Sequence, residues 1–180
     1  MAKKIAVLVG SLRKESVNRK LALELQRLAS DGLELEIVEI GNLQHYNQDF
    51  DANPPQEWVS FREKIKCSDG VLFVSPEYNR TIPGVLKNAI DVGSRPYGQG
   101  VWAGKPGGVM TSSPSGIGGA IANHHIRQAL VFIDVPVMQQ PEAYIADAFG
   151  IWNEDGTAVA ETEKFLKSWI DAYESWVNKF

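Results

Sequence analysis

Two apolar rhythms alternate along this chain. Residues 5–9, Ile-Ala-Val-Leu-Val, form an unbroken run rich in β-branched side chains, the pattern of a strand buried on both faces of a parallel sheet. Gly10 ends the run, and after a short polar loop Val17, Leu21, Leu25 and Leu28 recur at helical spacing, with Ser16 at the N-cap position. Leu33, Leu35, Ile37, Val38 and Ile40 predict a second strand, and Trp58, Phe61 and Ile65 a second helix. Residues 71–74 read as a third strand. Ile82, Val85, Leu86, Ala89, Ile90 and Gly93 then share a helical face, with Thr81 as the expected cap. Residues 107–111 make a fourth strand, weakly written because of its glycines, and a helix follows through Leu130. A fifth strand is expected at residues 135–138. Phe165, Leu166, Trp169, Ile170, Tyr173, Trp176 and Val177 mark the clearest amphipathic helix. Strands alternating with helices predict an α/β fold with a parallel sheet, and 180 residues fit a single domain spanning residues 1–180.

In this arrangement three loops leave the carboxyl ends of the first, third and fourth strands, at residues 11–16, 75–80 and 112–119. Ligands of open parallel sheets bind in the crevice outside those ends, so one ligand can touch all three. The first loop joins a strand to a helix, where free N–H groups and the positive end of the helix dipole converge on an anion. Ser11, Ser16 and Asn18 add side-chain donors, and Arg13, Lys14, Arg19 and Lys20 are opposed only by Glu15. It lacks the glycine spacing of a dinucleotide fingerprint and the Gly-Lys-Ser/Thr ending of a P-loop. What remains is a cradle suited to one phosphate. Tyr78 and Asn79 in the second loop, with Ser112, Ser113 and Ser115 in the third, suit a flat polar heterocycle. A mononucleotide such as a flavin fits, and so do other phosphorylated ligands.

Composition narrows the partners. The net charge of −4 and the lack of a basic stripe argue against nucleic acid. Cys67 is alone, which excludes internal disulfides and thiolate metal sites, and it reads as a packing residue. His124 and His125 are adjacent and point in different directions, so no metal is expected. No segment has membrane-spanning length and no signal-peptide layout precedes the first strand, which makes a cytoplasmic protein the expectation.

Five motifs in order sharpen this. Gly-Ser-Leu-Arg-x-x-Ser-x-Asn at residues 10–18, Tyr-Asn-Gln-Asp at 46–49, Pro-Glu-Tyr-Asn at 76–79, Pro-Gly-x-Leu-Lys-Asn-Ala-Ile-Asp at 83–91 and Gly-x-Gly-Gly at 116–119 resemble the NADPH-dependent FMN reductase family, and within it the bacterial quinone reductases also described as chromate reductases. The resemblance implies a flavodoxin-like three-layer sandwich, a five-stranded parallel sheet of order 2-1-3-4-5 with helices on both faces. It implies non-covalent FMN and two-electron transfer from NADPH or NADH to quinones, with chromate, azo compounds or free flavin as further acceptors. The cofactor-binding positions it assigns are Ser11, Arg13, Ser16, Val17 and Asn18 for the phosphate, Pro76, Glu77, Tyr78 and Asn79 for the ribityl chain and ring, and Ser112, Ser113 and Gly116 in the third loop. Glu77 stays open between a flavin contact and an ion pair across a subunit interface. Val92 departs from the large aromatic found after Asp91 in many relatives.

No catalytic side chain is required, because the flavin carries the chemistry. With one crevice for both substrates, ping-pong kinetics are expected. A homodimer or homotetramer is implied, with residues 82–95 and Trp102, on a Gly-rich connection that a monomer would have trouble covering, at the contact. The alternative functions are a flavodoxin-type electron carrier acting through a protein partner, and a phosphate-ligand enzyme without flavin.

Overall fold

A computed structural model describes residues 1–180. Its elements run β1 (Lys3–Val9), α1 (Val17–Leu28), β2 (Leu33–Val38), a short 3₁₀ turn (Gln48–Phe50), α2 (Gln56–Lys66), β3 (Gly70–Pro76), α3 (Gly84–Gly93), β4 (Gly107–Ser112), α4 (Ala120–Phe132), β5 (Ala143–Ile145) and α5 (Ala160–Val177). The five strands form one parallel sheet in the order β2-β1-β3-β4-β5. β1 lies between β2 and β3, with Val7 opposite Ile37 on one side and Leu72 on the other.

The unbroken apolar runs follow from burial on both faces. Successive side chains of a strand point to opposite faces. Ile5, Val7 and Val9 of β1, Leu72 and Val74 of β3 and Met110 of β4 pack against α1 and α5. Ala6, Leu8, Val71, Phe73 and Val109 pack against α2, α3 and α4. Neither face can be polar, so alternation disappears from the sequence. Tyr173 of α5 is fully buried, and its hydroxyl donates to the carbonyls of Val71 at 2.9 Å and Pro106 at 3.2 Å.

Four sequence expectations change. Residues 135–138 are not the fifth strand. Only Val137 bridges to Gly107 there, Pro136 has no N–H to give, and the ladder resumes at Ala143–Ile145 beside Met110, Thr111 and Ser112. Val135 and Met138 are apolar because they pack into opposite core clusters. Thr81 does not cap α3, which begins at Gly84 after Pro83; its hydroxyl meets Nδ1 of His125 at 2.8 Å. Cys67 is exposed at the carboxyl end of α2 rather than packed.

Trp102 needs no second subunit to cover it. It is 1% exposed within the chain, tilted between Phe61 and Phe73, and its indole N–H donates to Ile90 at 3.0 Å. Gly93 lets it in: a Cβ there would lie 2.6 Å from the indole ring. Val92, where an aromatic was the alternative, is wholly buried beside it and offers its carbonyl to Arg62.

Gly93→Ala should therefore force Trp102 out of place and cost about 1–3 kcal/mol, the usual range for overpacking. Urea unfolding followed by tryptophan fluorescence checks this, and an unchanged midpoint would show that the indole has room to move.

Candidate functional site

At the carboxyl edge of the sheet, β1 and β3 are neighbours but their following loops diverge. Gly10 is the last point of contact. Its N–H donates to Val74 at 2.9 Å, and a Cβ there would collide with the Ser75 hydroxyl. From residue 11 to residue 16 no backbone N–H donates to another group of the chain. The first amides of α1, at Val17 and Asn18, have no helical carbonyl before them. Ser16 caps this helix as expected, with φ −79°, ψ 119° and its hydroxyl accepting from Arg19 N–H at 3.2 Å.

The positive patch is narrower than the sequence implied. Arg19 is paired with Glu39 at 2.7 Å, and the Lys20 ammonium lies 5.9 Å from the Trp152 ring centroid. Arg13 and Lys14 are exposed and form no ion pair.

The second loop is a tight turn. Tyr78 and Thr81 exchange backbone hydrogen bonds at 3.1 and 3.0 Å, and Asn79 and Arg80 between them have φ of 50° and 62°. Two successive positive φ values are what a type I′ turn requires, and asparagine tolerates them well. The turn presents Tyr78, 46% exposed, to the crevice, while Asn79 sits at its tip.

Both carboxylate oxygens of Glu77 are engaged within the chain. One carboxylate oxygen accepts from Ala122 N–H at 3.1 Å and the other from Arg80 at 3.2 Å, and its side chain is only 7% exposed. Ala122 is in the first turn of α4, so Glu77 caps that helix from another segment of the same chain.

The third loop is tied to the first. Ser112 Oγ donates to Asn18 Oδ1 at 3.0 Å in a buried contact. Ser113 accepts from Ser115 N–H, and Gly118 and Gly119, with φ of 60° and 77°, lead into α4. A Cβ at Gly118 would strike the backbone between Tyr144 and Ile145, so α4 can start here only from glycine.

These loops enclose a cleft of about 270 Å³. Ser11, Arg13, Ser16, Val17, Asn18, Pro76, Glu77, Tyr78, Ser112 and Ser113 all line it. Asn79 and Gly116 do not: Asn79 is at the turn tip and Gly116 is exposed with open space around it. Pro114, Ala148 and Phe149 line it as well, and the sequence reading missed them. Pro114 belongs to the third loop already expected there, and for Ala148 and Phe149 the cause is the misplaced fifth strand. Because β5 ends at Ile145, the next residues form a fourth loop at the same edge. It is anchored by Ser113 N–H to Ile145 O at 3.0 Å and Ala148 N–H to Ser113 O at 3.2 Å. Trp152 Nε1 also donates to Ala148 O at 3.1 Å. His124 and His125 diverge as expected, toward Tyr144 and Thr81.

A larger cavity of about 810 Å³ opens beside Tyr97 and Phe132, at the carboxyl ends of α3 and α4. Partial positive charge gathers at helix amino ends, so of the two the smaller cleft is the one whose setting suits an anion. An anion cradle at the β1/β3 switch point of a 2-1-3-4-5 sheet defines the flavodoxin-like class of mononucleotide-binding proteins.

Residues 3–150 match the family described as NADPH-dependent FMN reductase. Over 174 residues, 96% of this chain and 94% of the relative, the sequence is 56% identical to a quinone reductase of Pseudomonas putida. It is 46% identical over 178 residues to the 2-hydroxy-1,4-benzoquinone reductase of a Burkholderia species, covering 98% and 97% of the two chains. The solved structure of FerB, a flavoenzyme NAD(P)H:(acceptor) oxidoreductase from Paracoccus denitrificans, superimposes with a TM-score of 0.93 at 44% identity, covering 99% and 98% of the two chains. This chain belongs to the NADPH-dependent FMN reductase family and is an oxidoreductase that uses FMN, with NAD(P)H as co-substrate.

The cleft fits that cofactor in chemical terms. Free amides, a helix amino end and an unpaired arginine suit a phosphate, and Pro76, Tyr78, Pro114 and Phe149 supply apolar and aromatic walls for a flat ring.

Glu77→Ala should remove the cap on α4 and cost about 0.5–2 kcal/mol. Hydrogen exchange reads it directly: the Ala122 amide should exchange faster than in the parent protein, whereas unchanged protection there would show that the carboxylate holds nothing.

Proposed function

We propose that this chain is an NAD(P)H-dependent quinone reductase, with FMN held non-covalently in the cleft at the β1/β3 switch point. The observation that carries the reading is near full-length similarity to quinone reductases of two bacterial genera. The cleft supports it. In our assignment the amides of residues 11–16, Arg13, and the start of α1 at Ser16, Val17 and Asn18 hold the phosphate. Pro76, Glu77, Tyr78 and Asn79, with Ser112, Ser113 and Gly116, border the rest of the cofactor, and Phe149 adds an aromatic edge. The whole chain acts as one FMN-binding domain, since every strand belongs to the same sheet.

When bound, FMN supplies the capacity to accept a hydride equivalent from NAD(P)H and deliver two electrons to a quinone. The chain's own work is positioning. Glu77 is the only acidic residue lining the cleft, and both its oxygens are engaged, so no free carboxylate stands ready as an acid or base. About 270 Å³ is slightly below the usual range for small-molecule pockets, so a mononucleotide leaves one side of its ring exposed. Reductant and acceptor use that one exposed side in turn. An open site of this kind also takes chromate, azo compounds and free flavin. We place the protein in the cytoplasm, where NAD(P)H is available, and as a homodimer or homotetramer. Tyr97, Val131 and Phe132, 87%, 74% and 86% exposed, are the apolar residues such an assembly would cover.

Initial rates of NADPH oxidation with a benzoquinone, measured across both concentrations, should give parallel double-reciprocal lines. Intersecting lines would mean a ternary complex and contradict the shared site. Failure to consume NADPH or NADH with any quinone would favour a flavodoxin-type carrier.

Arg13→Ala should weaken FMN binding by roughly ten- to a hundredfold, the range for a lost charge-assisted hydrogen bond, with the fold intact. Fluorescence titration of FMN measures it, and unaltered affinity would remove Arg13 from the phosphate site.

A further inference from the structure

Phe149 stands at the rim of the flavin cleft with its side chain 58% exposed. A single exposed aromatic is ordinary on a protein surface, but the backbone that carries this one is tied down on both sides. Residues 147–150 form a tight turn, closed by Gly150 N–H to Asp147 O at 2.8 Å. Ala148 is pinned twice: its N–H donates to Ser113 O at 3.2 Å, and its carbonyl accepts from the Trp152 indole at 3.1 Å. Beyond the turn, Val159 N–H returns to Ile151 O at 3.0 Å. The loop fixes the position of Phe149 and leaves its ring half uncovered.

A second aromatic faces the same cleft from the other side of the sheet. Ile151 and Trp152 of the Phe149 loop pack on the core layer of α1 and α5, where the Lys20 ammonium of α1 lies 5.9 Å from the Trp152 ring centroid. Tyr78 is carried by a turn tied instead to α4, in the opposite layer, through Glu77 to Ala122 N–H and through Thr81 to His125. Two rings therefore reach one cleft from the two helix layers, each ordered and each partly bare. The cleft holds only about 270 Å³, so a mononucleotide fills it and a further ring must sit at its mouth, where Phe149 is.

We propose that Phe149 is a specificity residue for the electron acceptor, its ring packing against the flat ring of a quinone at the cleft mouth and so favouring aromatic acceptors over hydrated ions. The assignment rests on the quinone reductase reading above. Covering an exposed aromatic side chain with a flat ring removes apolar surface from water and allows offset or edge-to-face contact. An octahedral complex anion offers no such face.

The test uses FMN-loaded protein and tetramethyl-1,4-benzoquinone, which has no free ring position for the exposed Cys67 thiol to attack. Binding of this quinone to the oxidised protein, with no reductant present, is followed through the flavin absorbance. Saturable binding is expected in the parent, about tenfold weaker binding in Phe149→Leu, and recovery in Phe149→Tyr, which restores the aromatic face. In turnover, kcat/KM for the quinone divided by kcat/KM for hexacyanoferrate(III) should fall by a similar factor in Phe149→Leu, and the division cancels any effect on the NADPH step. No saturable binding to the parent, unaltered affinity in Phe149→Leu, equal losses for the two acceptors, or a tyrosine variant as weak as the leucine one would each overturn the assignment. So would loss of FMN from Phe149→Leu, which would make the residue a cofactor wall. A parent that binds the quinone but never turns it over would sink the quinone reductase reading and leave the binding titration to decide on Phe149.

Discussion

The structure depends on one topological constraint, the reversal of strand order between β1 and β3. The chain leaves β1, pairs β2 on one side, then crosses back to pair β3 on the other. Up to Gly10 the backbone is satisfied by this pairing, because its N–H still reaches Val74. One residue later the loops part, and the amides of residues 11–16 face outward with no neighbouring strand to receive them. Exposed donors without partners are normally solvated. Here they converge with the amino end of α1, and the result is a site built from backbone, to which side chains such as Arg13 add.

That site is rigid because its loops are tied to each other. Asn18 and Ser112 join the first loop region to the third. Ser113 is bound to Ile145 and Ala148, which fixes the fourth loop, and Glu77 carries the second loop onto the start of α4. Each tie joins residues far apart in sequence, so the ordering cost of the cleft is met when the chain folds, and less is lost when a ligand enters. The same logic explains why Glu77 has no freedom to act as an acid or base.

Burial on both faces wrote β1, β3 and much of β4 into the sequence as continuous apolar runs, and the 3.6-residue period wrote α1 and α5. Both signals are local, so the fold class was legible; strand order and the twelve expected cofactor positions came through the family resemblance, and ten of those twelve line the cleft. Ser16 was legible too, because capping joins neighbours. The failures share a cause. Residues 135–138 are as apolar as a strand, yet only tertiary pairing decided that the ladder resumes at Ala143–Ile145. With that strand misplaced, Ala148 and Phe149 could not be seen as cleft residues. Glu77, Trp102 and Arg62 depend on partners 45, 12 and 30 positions away, Ala122, Ile90 and Val92. The sequence shows a carboxylate, an indole and a guanidinium; which distant backbone group each one meets is decided only when the sheet brings the segments together.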